Sequence, residues 1–576
     1  MLAADLVVVA ASVIARFVFD APLDWADDVA RGLLVALSFF GAAGAMARDE
    51  SLGVRFFVDR LPAALRRAVD ALVAVLVAGI AGTIAVHAIG MGVLTVGQTT
   101  GSGLPLEWTF YPMGGGAACM AVFALVHVAR LRLRDVALAV VVLAALAGGA
   151  WLLGEHAPST GALMFWSFAL ALAGGMPIGF ALALSALMFV WNDGSLPGAI
   201  FAQQMARGID NFVLLAIPFF LLTGALMEAS GISVRLIALL ERLVGRLRGG
   251  LNVVMVLSMV VFSGMSGSKM ADVAAVGSVL VPAARRDGQN PGQAVALLAA
   301  SAVMAETIPP CINLILLGFV ANLSIGGLFM AGLVPAALMA AALVLVAIVF
   351  GAPRAATPLP RATARVWSGA ALGLGLIAMI FGGFRTGFAT ATEISAFAVI
   401  YALVVGAGVL RELTPRAAVQ SFVHAASRSG LVLFIVAAAQ AVAFVLTLQQ
   451  VPHALGAEMV ALSQHHGAWV FMLASIAILV VMGSVLEGAA ALIIFAPLLL
   501  PVASALGIAP LHYGVVLVIA MGIGLFAPPL GLGLYGACLI GGVPIEATVR
   551  PMLLYLGLLV LCLLAIAFLP ALTMLL

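Results

Sequence analysis

In a chain of 576 residues that is 64% hydrophobic and 9% charged, five ionisable side chains stand in apolar surroundings: Lys269, Asp272, Glu306, Glu393 and Glu487. A charge inside an apolar span is costly and is kept where it binds or moves something. Lys269 is the only lysine in the chain and ends the stretch Ser263-Gly-Met-Ser-Gly-Ser-Lys269. Three roles are open to it: neutralising Glu306, meeting an anionic substrate, or reaching water along its aliphatic stem. Asp272 and Glu393 suit either a functional role or the capping of a helix start.

Two Pro-Pro pairs lie in similar surroundings, Glu306-Thr-Ile-Pro-Pro310 and Phe526-Ala-Pro-Pro-Leu-Gly531. Proline removes a backbone donor and clashes with the turn before it, so carbonyls upstream of each pair lose their helical partners. Such carbonyls, with hydroxyls from a Ser- and Gly-rich turn opposite, are oxygen ligands for a hard ion such as Na⁺. The residues for enzyme chemistry are missing. There is no HExxH and no GxxxxGK[ST], and His465 and His466 stand side by side in what reads as a loop. The four cysteines, Cys119, Cys311, Cys538 and Cys562, lack CxxC spacing and read as packing residues.

The elements that must position these groups repeat. Gly264, Pro282, Gly288, Pro291, Pro309 and Pro310 return at a constant offset as Gly483, Pro501, Gly507, Pro510, Pro528 and Pro529, since 501 − 282 and 528 − 309 both equal 219. Upstream, Gly174–Leu184 (GGMPIGFALAL) returns as Gly382–Thr392 (GGFRTGFATAT), identical at six of eleven positions with an offset of 208. The offsets differ by 11, and the polar stretch 449–467 is the expected place for the added residues.

Apolar runs separated by short polar joints suit helices across a hydrocarbon layer about 30 Å thick. The fold class is therefore an all-α polytopic membrane protein. A formal charge of +2 gives no reason to expect nucleic-acid binding. Arginine clusters mark the cytoplasmic side, and they place the N-terminus inside. These markers give four helices over 1–134, a joining helix within 135–158 that leads out to Glu155 and His156, and a second part over 159–576 with halves at about 160–352 and 366–576. Spans are expected near 293–323, 324–352, 367–384, 388–410 and 430–448, with Arg354 and Arg361 among the internal markers. Ser263–Lys269 is too polar for the middle of a lipid-facing helix and reads as the tip of a re-entrant hairpin; two full spans with an external loop are the alternative. An odd number of spans then brings the second hairpin, about 469–484 and 488–504, in from the other face. That is an inverted repeat, an architecture of secondary transporters whose sites form where broken helices meet.

The stretches Phe262–Asp272, Gly277–Pro282, Thr307–Pro310, Thr390–Glu393 and Gly524–Leu534 (GLFAPPLGLGL) resemble the large membrane subunit of tripartite ATP-independent periplasmic (TRAP) transporters from about 160 to the C-terminus. Arg16–Trp25 and Val54–Pro62 are similar to the family's small membrane subunit, so the chain resembles a fusion of the two. The resemblance implies a multi-pass importer of the bacterial inner membrane that works by symport with two or more sodium ions as coupling ions. It implies elevator-like transport of an organic acid, such as a dicarboxylate or sialic acid, delivered by a periplasmic substrate-binding protein. It implies one sodium site at Ser266, Gly267, Ser268, Ile308 and Pro309, and another at Gly483, Glu487, Gly524, Ala527 and Pro528. Lys269, Glu306 and Asn313 are the substrate-site candidates. Lys269 stands where many members of the family have a small residue and Ala305-Glu306 where many have Gly-Pro, both at the first sodium site, and pairing of Lys269 with Glu306 would stiffen that site or partly replace its ion. The competing readings are a stand-alone Na⁺/anion symporter and a non-transporting membrane subunit of a larger complex.

Overall fold

The computed structural model describes residues 1–48, 50, 53, 55, 57–153, 159–351, 363–529 and 531–575. Glu155, His156, Arg354 and Arg361, used above as loop markers, lie outside the described residues. Among the described residues the regular elements are helical, and twelve segments are long and apolar enough to cross a membrane. The chain packs as two compact units. One holds Met1–Leu215 with Ala426–Val451, and the other Ala216–Ala425 with Pro452–Leu576.

The first unit contains α1 (Leu2–Val18), α2 (Ala26–Ala47), α3 (Ala63–Leu94), α4 (Glu107–Arg130), α5 (Leu133–Leu153), α6 (Thr160–Ala173), α7 (Ile178–Asp193) and α8 (Ala199–Arg207). It thus joins the four helices expected over 1–134 and a helix in the joining segment to three helices of the expected transporter domain. Its core closes on Gly41 of α2 and Gly430. A Cβ on Gly41 would stand 2.4 Å from the Ala426 carbonyl oxygen, and one on Gly430 only 2.5 Å from the Gly41 Cα. Small residues let two apolar helices approach closely enough to gain dispersion where hydrophobic exclusion is weak. Phe39 and Phe434 meet edge to face beside that contact, with ring centroids 5.7 Å apart.

The second unit begins with α9 (Ala216–Ala229), α10 (Ile232–Val244), α11 (Gly250–Ser266), α12 (Lys269–Arg286), α13 (Pro291–Met304), α14 (Ile312–Ala321), α15 (Ile325–Phe350), α16 (Ala364–Thr386) and α17 (Ala391–Leu403). Next comes α18 (Pro415–Leu448), whose later part belongs to the first unit. The second unit resumes with α19 (Val451–His466), α20 (Ala468–Val485), α21 (Gly488–Ala505), α22 (Pro510–Leu525), α23 (Leu532–Gly541), α24 (Ile545–Phe568) and α25 (Ala571–Met574).

The repeat read from the prolines recurs helix by helix. α10 and α19 start 219 apart (451 − 232), as do α12 and α21 (488 − 269) and α13 and α22 (510 − 291). This corrects three expectations. The stretch 449–467 is not the added segment, because α19 already sits at the offset of its counterpart α10. The added residues lie before it, where the second half runs the single 34-residue helix α18; the span expected at 430–448 is only the end of that helix. His465 and His466 have helical backbone, not the loop expected.

Local chemistry explains the breaks. α11 ends where Gly267 turns left-handed at φ +64°, a conformation open to glycine without a Cβ penalty. α17 starts with a reciprocal cap: the Thr390 amide donates to Glu393 Oε2 at 2.7 Å, and the Glu393 amide donates to Thr390 Oγ1 at 3.4 Å. The structural role weighed for Glu393 is thus present.

Candidate functional site

The candidate site is built wholly within the second unit, from both helix pairs and both broken helices. α13 runs to Met304, passes through a single tight turn at Ala305–Thr307, and resumes as α14 at Ile312 after the extended Pro-Pro segment. The counterpart break separates α22 from α23, and both Pro-Pro bonds are cis. The first break is tied to the first helix pair by Ser263, whose hydroxyl donates to the Ala305 carbonyl at 2.8 Å.

At that break Glu306 is buried, 1% exposed, and forms an ion pair with Lys269, which is 15% exposed. The other oxygen of Glu306 accepts from Asn313 Nδ2 at 3.0 Å and from the Cys311 thiol at 3.8 Å. The three substrate-site candidates therefore meet in one cluster. Gly522 of α22 makes room for it, since a Cβ there would lie 2.7 Å from Glu306 Cγ. Gly488, the first residue of α21, closes it from the second pair: its Cβ would stand 2.7 Å from Asn313 Nδ2 and 3.4 Å from Lys269 Nζ. The Glu487 carboxylate is within electrostatic reach of both Lys269 and Glu306, and its Oε2 is buried without a hydrogen-bond partner.

The expected sodium ligands divide. At the first tip, a Cβ on Gly267 would lie 3.1 Å from the carbonyl oxygen of Pro310, so backbone oxygen approaches the tip one residue beyond the expected Ile308 and Pro309. Ser266 does not face that carbonyl with its hydroxyl; it donates to Asp272 Oδ1 and accepts from the Ser268 amide at 3.1 Å. Asp272 is buried, 1% exposed, and its Oδ2 has no hydrogen-bond partner. At the second tip, Gly483 and Gly524 bring α20 and α22 into backbone contact: Cβ atoms would lie 2.5 Å from the Met521 oxygen and 2.2 Å from the Val480 oxygen. Ala527 is bonded locally, its amide to the Gly524 oxygen at 2.9 Å and its oxygen to the Gly531 amide at 2.8 Å. Pro528 follows on the half-buried segment. Among the described residues no group of three or more His, Cys, Asp or Glu side chains is placed to hold a metal ion.

The sequence reading missed Gly488, Gly522 and Cys311. The offset held a signal for the first, because 269 + 219 is 488 and the two tip residues are repeat mates. Nothing in sequence spacing marks Gly522 as the neighbour of Glu306.

Two family models cover most of the chain. Residues 165–572 match the DctM component of tripartite ATP-independent periplasmic transporters, and residues 5–134 match the DctQ component. The chain belongs to the TRAP transporter family. It carries the large and small permease components in one polypeptide and is a transporter, not an enzyme. The isethionate TRAP transporter permease DctMQ of Oleidesulfovibrio alaskensis is 30% identical over 563 residues, covering 96% of this chain and 88% of that one. The sialic acid TRAP transporter large permease SiaM of Vibrio cholerae is 34% identical over 406 residues, 70% of this chain and 95% of its own. The C4-dicarboxylate large permease DctM of Pseudomonas aeruginosa is 32% identical over 391 residues, 66% and 91% respectively.

Proposed function

We propose that this TRAP permease imports an organic acid by Na⁺ symport, receiving it from a periplasmic substrate-binding protein. The acid class is carried by the relatives, named for sialic acid, C4-dicarboxylate and isethionate transport. The permease sits in the bacterial inner membrane with its N-terminus in the cytoplasm. The domains act as read from sequence: 1–134 and the joining segment 135–158 extend the scaffold, and 159–576 carries the transport machinery. The two helix pairs and the two broken helices move as a block, elevator fashion, and carry the site between the two faces.

The observation that supports coupling is the pair of buried carboxylate oxygens without hydrogen-bond partners, Asp272 Oδ2 at the first tip and Glu487 Oε2 at the second. A buried carboxylate oxygen without a partner is expensive, and a monovalent cation offsets that cost. The two open carboxylate oxygens and the Pro310 carbonyl near Gly267 are oxygen ligands of the kind such an ion takes. Ser266, Gly267 and Ser268 with Ile308 and Pro309 would hold one, and Gly483, Glu487, Gly524, Ala527 and Pro528 a second. When bound, each Na⁺ would supply the charge that makes its tip neutral. The protein's own part is to bring backbone close to each tip: the Pro310 carbonyl to Gly267 in the first, and α20 to α22 across Gly483 and Gly524 in the second.

The test is reconstitution of the full chain in liposomes with its binding protein and a panel of organic acids. Uptake is expected only with an inward Na⁺ gradient and the binding protein present. Uptake at the same rate without either one refutes the corresponding part of the mechanism.

A further inference from the structure

We propose that Lys269 binds the anionic group of the transported acid and that Glu306 and Asn313 are positioning residues that hold its ammonium at the meeting point of the two tips. The proposal rests on the reading of the chain as an importer of organic acids. An acid held in apolar protein needs a charged or strongly donating partner, because its desolvation is otherwise uncompensated. Across both tips and both breaks, residues 263–269, 305–313, 483–488 and 524–532, Lys269 is the one basic side chain.

The cluster leaves that ammonium available. An ammonium has three donors, and Glu306 takes one. Glu306 itself is engaged on both oxygens, by Lys269 on one and by Asn313 and Cys311 on the other, and it is 1% exposed against 15% for Lys269. The carboxylate is thus placed to fix the ammonium, and the ammonium is the partly open member. Beside it lies the bare Cα of Gly488, with Lys269 Nζ and Asn313 Nδ2 at 3.4 and 2.7 Å from the position of a Cβ. Both donors therefore pack directly on the Gly488 backbone, and any side chain at 488 would displace them.

The internal repeat separates this role from ion binding. The close glycine contacts and the Pro-Pro breaks occur in both copies, as does one carboxylate oxygen without a partner, Asp272 in the first and Glu487 in the second. The Lys269, Glu306 and Asn313 set occurs once. At the same offset the second copy has Gly488, Leu525 and Leu532, from 269 + 219, 306 + 219 and 313 + 219. Features present twice suit two like ions, and a feature present once suits the single substrate. Lys269 and Glu306 also cancel each other's charge, so the pair leaves the demand for cations at Asp272 and Glu487 unchanged.

The experiment compares wild type with Lys269→Gln, Lys269→Arg, Glu306→Gln and the double variant Lys269→Gln/Glu306→Gln, each as the full chain. Succinate, isethionate and N-acetylneuraminate, presented with the cognate binding protein, are the uptake probes in proteoliposomes. ²²Na⁺ binding and thermal stability are measured on the same purified proteins. Wild-type uptake of at least one probe tests the underlying reading, and absence of uptake there refutes that reading and not the inference. Given uptake, Lys269→Gln is expected to raise KM for the acid on the order of 10- to 100-fold with the number of Na⁺ bound unchanged. Lys269→Arg should recover part of the loss, and the double variant should recover stability without recovering KM. The inference is overturned if the double variant transports with the wild-type KM, which marks a purely structural pair. It is equally overturned if Lys269→Gln keeps its KM, including the case in which it binds one more Na⁺, which places the ammonium in an ion position.

Discussion

The ion pair of Lys269 and Glu306 predicts an unequal response to removing either charge. At a separation of about 3 Å and an effective dielectric of about 20, the attraction is roughly 5 to 6 kcal/mol, from 332/(20 × 3). Desolvation cancels much of it. In Lys269→Met the Glu306 carboxylate, 1% exposed, keeps only the Asn313 amide and a thiol. Stranding a buried charge in this way costs about 3 to 5 kcal/mol. In Glu306→Gln the stranded group is an ammonium 15% exposed, with a long stem that can turn toward water and toward Glu487. That loss should be about 1 to 2 kcal/mol. The double variant Lys269→Met/Glu306→Gln strands no charge and should lie within about 1 kcal/mol of wild type. The assay is reversible unfolding in mixed micelles, titrated with dodecyl sulfate and followed by tryptophan fluorescence. The reasoning fails if Lys269→Met loses less than about 1 kcal/mol, if the two single losses are equal, or if they simply add in the double variant.

Other residues give independent tests. Gly524→Ala places a Cβ 2.2 Å from the Val480 oxygen, so α20 and α22 must part by about 1 Å, and a loss of about 1 to 3 kcal/mol with reduced uptake is expected; an unchanged unfolding midpoint would count against the close crossing. Gly382→Ala in α16 is its control, because a Cβ there meets nothing within 4 Å. It should stabilise the helix by about 0.5 to 1 kcal/mol, and destabilisation would show a contact absent from the structure. Gly488→Ala pushes on the Asn313 amide 2.7 Å away and is expected to reduce uptake more than stability, measured as KM against unfolding midpoint. Thr390→Ala removes the side-chain half of the cap on α17 and should cost about 1 kcal/mol without altering KM in proteoliposomes.

Much of this architecture is written in one dimension. Apolar runs of spanning length require helices, because no other open structure satisfies its backbone in hydrocarbon. The Pro-Pro pairs require breaks, and the Ser-Gly stretch at 263–269 requires a turn, for reasons local to those residues. The repeat offset is arithmetic, so pairing α12 with α21 needed no coordinates. Placing the extra residues of the second half did need them. Polarity at 449–467 suggested a loop insertion, yet the helix there matches α10, and the longer element is α18, whose first half carries Arg416, Gln420, His424 and Arg428 and so does not read as part of an apolar span.

The sequence by itself determined which groups could carry charge inside the membrane protein and that both halves share a broken-helix plan, because composition, proline and glycine act on their own segment of chain. Only the tertiary structure decided which groups meet. Glu306 finds Lys269 from another helix pair, Asn313 from the far side of the break and Gly522 from the other half, and Ser266 turns to Asp272 instead of the opposite carbonyl. Those choices depend on how closely backbones approach across Gly483, Gly488, Gly522 and Gly524. That approach is a sum of packing over many helices, and no single stretch of sequence contains it.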